Sequence, residues 1–241
     1  MTGRHGAPAS IPAKERLVTT SRLRYGRPLL PSPARRSAGM VLACCGIVVI
    51  VLGVLFHGQT GPDRLDHAVD APVIGWLGSH QGLARWLAYP GSVRPAVVLS
   101  AALVVACLLT RRINGAVLAA AAVPAAVGLN DGLLKPLVHR TLTGFLSYPS
   151  GHTAAVSALA ATVTILLLVL PQPARFIVPR VLIATVAWLL VVVVAIGLIG
   201  LQWHYLTDIV AGAAVGIGTV CGLALALDLV PALLAKAFAA P

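Results

Sequence analysis

Charge is what this sequence has least of. Asp, Glu, Lys and Arg make up 10% of its residues, against roughly 25% in an ordinary soluble domain. With 58% hydrophobic residues and a mean hydropathy of +0.91, that scarcity excludes a large soluble core and implies an integral membrane protein. Acids are scarcer still, seven in 241 residues. Divalent-cation sites draw on several carboxylates, and only Asp131 and Asp208 fall near the polar cluster described below, so no metal is expected. The four cysteines, Cys44, Cys45, Cys107 and Cys221, lie inside apolar runs. They have neither metal-ligand spacing nor a disulfide framework and read as small packing residues. No A-x-A-like site follows the first apolar run, which argues against a cleaved signal peptide.

What the chain does have is six apolar runs, at about 38–56, 95–111, 114–134, 153–170, 179–200 and 208–229. Each approaches the roughly 17–25 residues a helix needs to cross a bilayer. The second is the weakest and ends at Arg111 and Arg112, whose long stems can snorkel to the interface. The expected fold is an all-α, six-transmembrane helix bundle. Ahead of it, residues 1–36 carry eight Lys and Arg against the single acid Glu15 and read as a disordered basic tail. Held next to a first membrane span, such a tail fits an anchor against anionic lipid better than a nucleic-acid-binding arm. Residues 37–230 form the membrane domain and 231–241 a short second tail. With both termini cytoplasmic, thirteen of the eighteen Lys and Arg lie inside and five outside, as the positive-inside rule requires. The composition fits a bacterial plasma membrane.

That topology collects polar residues from distant segments at the outer face. Asp131, Lys135, His139 and Arg140 end the third run; Ser150, Gly151 and His152 open the fourth; His204 and Asp208 open the sixth. Ionisable groups in or beside spans are costly and are functional candidates by default, and Lys135 and Arg140 also run against the charge bias. In the stretch PSGHT, Pro149 and Gly151 break the approach to a helix beginning near Thr153. Its free N–H groups and positive dipole end make an anion site. Gly151 admits the anion to the backbone, Ser150 adds a donor, and His152 stands ready to pass a proton; the plainer alternative is a helix cap with an incidental histidine. In HYLTD, His204 and Asp208 are four apart and share a helix face. An Asp accepting from one imidazole nitrogen leaves the other as nucleophile or base, unless the pair merely caps the span. Lys135 suits an anion held at Ser150 and Gly151, with Asp131 one turn earlier as its support or simply its salt-bridge partner. His139 reads as an interfacial polar residue.

A lysine ahead of P-S-G-H, followed by H-x3-D at the start of the next outward helix, resembles the type 2 phosphatidic acid phosphatase family, which shares its core with the vanadium-dependent haloperoxidases. The likeness covers about residues 95–229. It implies a PAP2-type bundle and a two-step, metal-independent hydrolysis of a lipid phosphate without a cofactor. By that analogy His204 forms a phosphohistidine, Asp208 orients it, and His152 protonates the leaving alkoxide, while Lys135, Ser150 and Gly151 hold the phosphate oxygens. The pattern departs at two places. The family's K-x6-R-P would put Arg and Pro where Leu142 and Thr143 stand, with Arg140 two residues early as a possible substitute. Its S-R-x5-H-x3-D would put Ser and Arg at Gly197 and Leu198. Hydrogen bonds to charged groups contribute about 1.5–3 kcal/mol each, so a catalytically weak or inactive lipid-phosphate binding or transport protein on the same scaffold is the alternative. The expected partners are a lipid phosphate or diphosphate substrate and the surrounding membrane lipids, with no nucleic acid. The segment 57–94 reads as one or two interfacial amphipathic helices anchored by Trp76 and Trp86, forming part of a substrate portal or a plain connector.

Overall fold

The computed structural model describes residues 28–168 and 176–237. Most of the expected N-terminal tail, up to residue 27, lies outside them, as do residues 238–241. Among the described residues, six helical stretches are long and apolar enough to cross a membrane. The first is α1 (Ser32–Leu55), which starts inside the expected tail because Pro31 and Pro33 suit a helix start and nothing in SPARRSAG stops it. Two helices follow, α2 (Arg64–Leu77) and α3 (Gln81–Ala88). A 3-10 turn at Tyr89–Gly91 leads from α3 into α4 (Val93–Leu109), so the second span runs from Gln81 to Leu109 and is longer than its apolar run suggested.

After a tight turn, α5 (Ile113–Leu129) runs into a π-helical turn at Asn130–Leu134 and the short α6 (Lys135–Val138). A small hairpin, β1 (Thr141–Leu142) and β2 (Phe145–Leu146), follows, pairing Thr141 with Leu146 and Leu142 with Phe145. Its two turn residues, Thr143 and Gly144, both have positive φ, 50° and 88°, the backbone that two-residue hairpins favour. The last three spans are α7 (Gly151–Leu168), α8 (Ile177–Gly200) and α9 (Leu206–Ala237). α9 continues through most of the expected C-terminal tail.

α7 and α9 are the most buried spans and cross closely because small residues line their seam. A Cβ at Gly212 would strike the Ser150 carbonyl oxygen, and one at Gly216 the Ala154 carbonyl oxygen. This small-xxx-small spacing lets helix backbones meet where lipid offers no hydrophobic drive to associate. Around the seam, Leu118, Ala122 and Ala126 of α5 pack with Ala155, Ala158, Val220 and Ala224. At the far end of α9, the buried Asp228 carboxylate accepts the Leu29 and Leu30 N–H groups at 2.7 and 2.8 Å, with Arg35 Nη2 at 3.5 Å. It fixes the chain as it enters α1.

Candidate active site

The polar ends of α5, α7 and α9 meet at one end of the bundle. Asp131, Lys135, Gly151, His152 and His204 line a single cavity of about 520 Å³. Its remaining wall is mostly apolar. Val93 and Val97 of α4, Val123 and Val127 of α5, and Leu142, Phe145 and Leu146 of the hairpin contribute to it. Val93 and Val97 are 76% and 59% exposed, so the apolar part lies beside the lipid-facing surface of α4. The shape is a polar head with an apolar slot.

Each polar residue is placed by its local chain. Ser150 ends the loop before α7. Its Oγ accepts the Thr153 N–H at 3.4 Å and the Thr153 hydroxyl at 3.0 Å, and its carbonyl accepts the Ala154 N–H at 3.0 Å. It is the N-cap of α7. The first-turn N–H groups of Gly151 and His152 have no intrahelical acceptor by helix geometry, and both residues line the cavity. A Cβ on Gly151 would sit 3.4 Å from Asp131 Oδ1 and 3.5 Å from Asn130 Nδ2, which is why this position suits glycine. Asn130 Nδ2 donates to Asp131 Oδ1 and to the Pro149 carbonyl, both at 3.0 Å. Lys135 Nζ lies 2.9 Å from Asp131 Oδ1.

His204 stands in the α8–α9 connection, 9% exposed. Its Nδ1 is 2.9 Å from the Ser147 carbonyl, so Nδ1–H donates and the Nε2 lone pair is left free. The His152 ring centroid is 6.3 Å away. Burial, with His152 and Lys135 nearby, pushes the His204 pKa down to about 3; the imidazole is neutral at physiological pH.

Three expected phosphate or catalytic residues sit behind the cavity wall rather than on it. Ser150 is wholly buried, its hydroxyl engaged as the cap. Asp208 is also wholly buried. Its Oδ2 is 4.0 Å from His204 Nδ1 and accepts the Tyr205 N–H at 3.1 Å, so the Ser147 carbonyl, and not Asp208, takes the imidazole proton. The third is Arg140, expected as a substitute phosphate ligand. It is wholly buried, with Nη1 at 2.7 Å from both Asp208 Oδ1 and Thr207 Oγ1 and Nη2 at 2.6 Å from Asp66 Oδ2. Its guanidinium lies between the Phe56 and Tyr205 rings, 4.1 and 4.4 Å from their centroids. Two carboxylates and two aromatic faces hold this group away from the cavity, which corrects the expectation of a phosphate ligand.

α2 supplies residues that motif reading missed. Asp66 accepts the Thr207 N–H at 2.9 Å and Asp70 accepts the Leu206 N–H at 3.4 Å. Two carboxylates from a distant helix thus cap the N-terminus of α9, where the dipole favours negative charge. The available signal was positional: three of the seven acids fall within GPDRLDHAVD, and Asp63 and Asp66 have capping-box spacing, which the structure contains. Trp76 and Trp86 are 63% and 76% exposed, as membrane-interface anchors would be; neither lines the cavity, whereas Gly91, Ser92 and Val93 at the end of the same segment do.

Apolar residues stand where the arginines were sought. Leu142 and Thr143 line the cavity from the hairpin. Leu198 is wholly buried among Val156, Val194 and Ile209, and a Cβ at Gly197 would come within 2.5 Å of the Ala88 backbone nitrogen. Among the described residues, no group of three or more His, Cys, Asp or Glu side chains is placed to hold a metal ion.

The PAP2 superfamily model matches residues 95–229. No curated protein matches the chain in sequence. Among solved structures, the chain is similar to the first transmembrane PAP2 type phosphatidylglycerolphosphate phosphatase from Bacillus subtilis. That match has 16% identity and a TM-score of 0.60 and covers 82% of this chain and 94% of that one.

Proposed function

The chain belongs to the PAP2 superfamily, and from that premise we propose that this integral membrane protein is a lipid phosphate phosphatase, acting on a monoester or diphosphate at the outer membrane face through a phosphohistidine. One observation carries the reading: a neutral His204 with its Nε2 unengaged faces His152 across the polar head of an otherwise apolar cavity. The apolar slot suits an acyl or prenyl chain, and the polar head suits its phosphate.

His204 Nε2 attacks phosphorus with its lone pair as the bond to the lipid oxygen breaks. Protonated His152 delivers its proton to that leaving oxygen. In the second step His152, now neutral, takes a proton from water as the water oxygen attacks phosphorus. The P–N bond breaks, its electron pair returns to His204, and inorganic phosphate leaves. Lys135 and the Gly151 and His152 N–H groups lie where they can receive charge on the phosphate oxygens, the term that dominates phosphoryl transfer. Asp208 acts through the fold, holding the Tyr205 backbone next to His204 and pairing with Arg140.

Detergent-purified protein in EDTA, offered a panel of lipid phosphates, is expected to release phosphate, and His204→Ala is expected to release none. A folded wild-type protein that releases none from any lipid would overturn the reading in favour of a binding or transport role on this scaffold.

A further inference from the structure

The charge balance of the cavity limits the ionic form of the phosphate it accepts. Among the described residues, Lys135 is the one lysine or arginine lining the cavity, and it is already paired with Asp131 at 2.9 Å. With His204 neutral and Lys135 cancelled by Asp131, the proton that His152 carries for the leaving oxygen gives the wall one net positive charge, enough to balance a single negative charge. The layer behind it adds none of the missing positive charge. Arg140 is enclosed there by Asp66 and Asp208, with Asp70 buried beside them. Arg94, next to the cavity-lining Val93, is exposed and does not line the cavity, and the hairpin contributes no charged side chain to the wall. The start of α7 supplies about half a positive charge. The Asp131 carboxylate already occupies that approach, 3.4 Å from where a Gly151 Cβ would stand.

A phosphate dianion entering this head meets a spent lysine, a carboxylate beside the helix N-terminus and a carboxylate-rich layer beneath. A monoanion asks for half as much compensation. Resting on the lipid phosphate reading and narrowing it to exclude diphosphates, we propose that the site selects a phosphate bearing a single negative charge, either a singly protonated monoester or a phosphodiester, and that Asp131 sets this selectivity. Asp131 does so by holding Lys135 neutralised and by standing where a second phosphate charge would lie. In a phosphodiester, attack by His204 expels one alcohol, which takes its proton from His152, and water then frees a phosphomonoester.

Binding tests this without requiring turnover. The probes are octylphosphonate, whose C–P bond is not hydrolysed, and its monomethyl ester, which stays monoanionic. Calorimetry on the full-length protein in detergent compares them near pH 6 and near pH 8.5, on either side of the second phosphonate ionisation. The monomethyl ester is expected to bind equally at both, while octylphosphonate weakens as it becomes a dianion. Asp131→Asn is expected to tighten the dianion by about tenfold, the scale of one nearby charge partly screened, and to change the ester little; Asp131→Glu keeps the wild-type pattern. Tighter wild-type binding of the dianion, or equal weakening of both probes by Asp131→Asn, would overturn the proposal, and if Asp131→Asn does not fold the wild-type pH comparison decides alone. Turnover of octyl phosphate and its monomethyl ester then separates the two monoanion sources. Charge discrimination in a protein that releases no phosphate would sink the phosphatase reading and leave this one standing; turnover without discrimination would do the reverse.

Discussion

His204 and Asp70 have burial in common and respond to pH in opposite senses. An unfolded histidine takes up its proton near pH 6.5, whereas His204 in the fold resists protonation until about pH 3. Stability from keeping it neutral is therefore present above 6.5 and lost as pH falls through that window. Burial raises the Asp70 pKa to about 6, helped by Asp66 and Asp208 and opposed by the Leu206 N–H. Asp70 Oδ1 has no hydrogen-bond partner. Its contribution is fully present below the unfolded carboxyl value of about 3.9 and lost as pH rises through 6. Asp70→Asn, which keeps an acceptor for Leu206, should thus raise the melting temperature near pH 8 and leave it unchanged or lower near pH 4. Thermal unfolding across that range checks the sign, and a uniform loss at every pH would contradict it. The P-S-G-H and H-x3-D stretches made these histidines legible in sequence. The Ser147 carbonyl as partner of His204 was not, because any residue type offers a backbone oxygen.

Among elements, the junction of α2, the Arg140 segment and α9 determines how the histidine loop is held. Arg140 bridges Asp66 of α2 and Asp208 of α9, and Asp66 also binds the α9 backbone at Thr207. Removing one member of a buried ion pair typically costs about 3–5 kcal/mol because the other charge stays behind. Arg140→Ala should therefore lower stability by about that amount, and Asp66→Asn by less, since an amide still accepts from Thr207. Both should lower kcat more than they raise KM. Melting curves with steady-state kinetics on the same preparations check this. Unchanged melting with a raised KM alone would mean that Arg140 binds phosphate after all. Sequence spacing pointed Arg140 toward substrate because the family's arginine lies near that position. It could not reveal that Phe56, Tyr205 and two carboxylates converge on the guanidinium from three separate chain segments.

The whole molecule has a polar, cavity-bearing end and a basic opposite end. The spans run from 18 to 29 residues, roughly 27–44 Å at 1.5 Å per residue, so Arg111 and Arg112, between α4 and α5, lie about a membrane thickness from Lys135 and His152. Six spans were readable from hydropathy because every backbone polar group in lipid must be satisfied within its helix. The exact ends were not, since α3 joins α4 through a turn and α1 starts among prolines and arginines. The charge bias predicts that the cavity end faces outward. In a protein with its four cysteines replaced, a membrane-impermeant thiol reagent on intact cells should label a cysteine at Thr143, on the hairpin tip, and not one at Asn114. The reverse pattern would invert the topology.

The most direct measurement is alkaline-quenched mass spectrometry of the protein caught during turnover of a lipid phosphate. A phosphoryl group is expected on His204, absent from His204→Ala. Phosphate release with no phosphorylated protein at any time, or with the phosphoryl group on another residue, would contradict it.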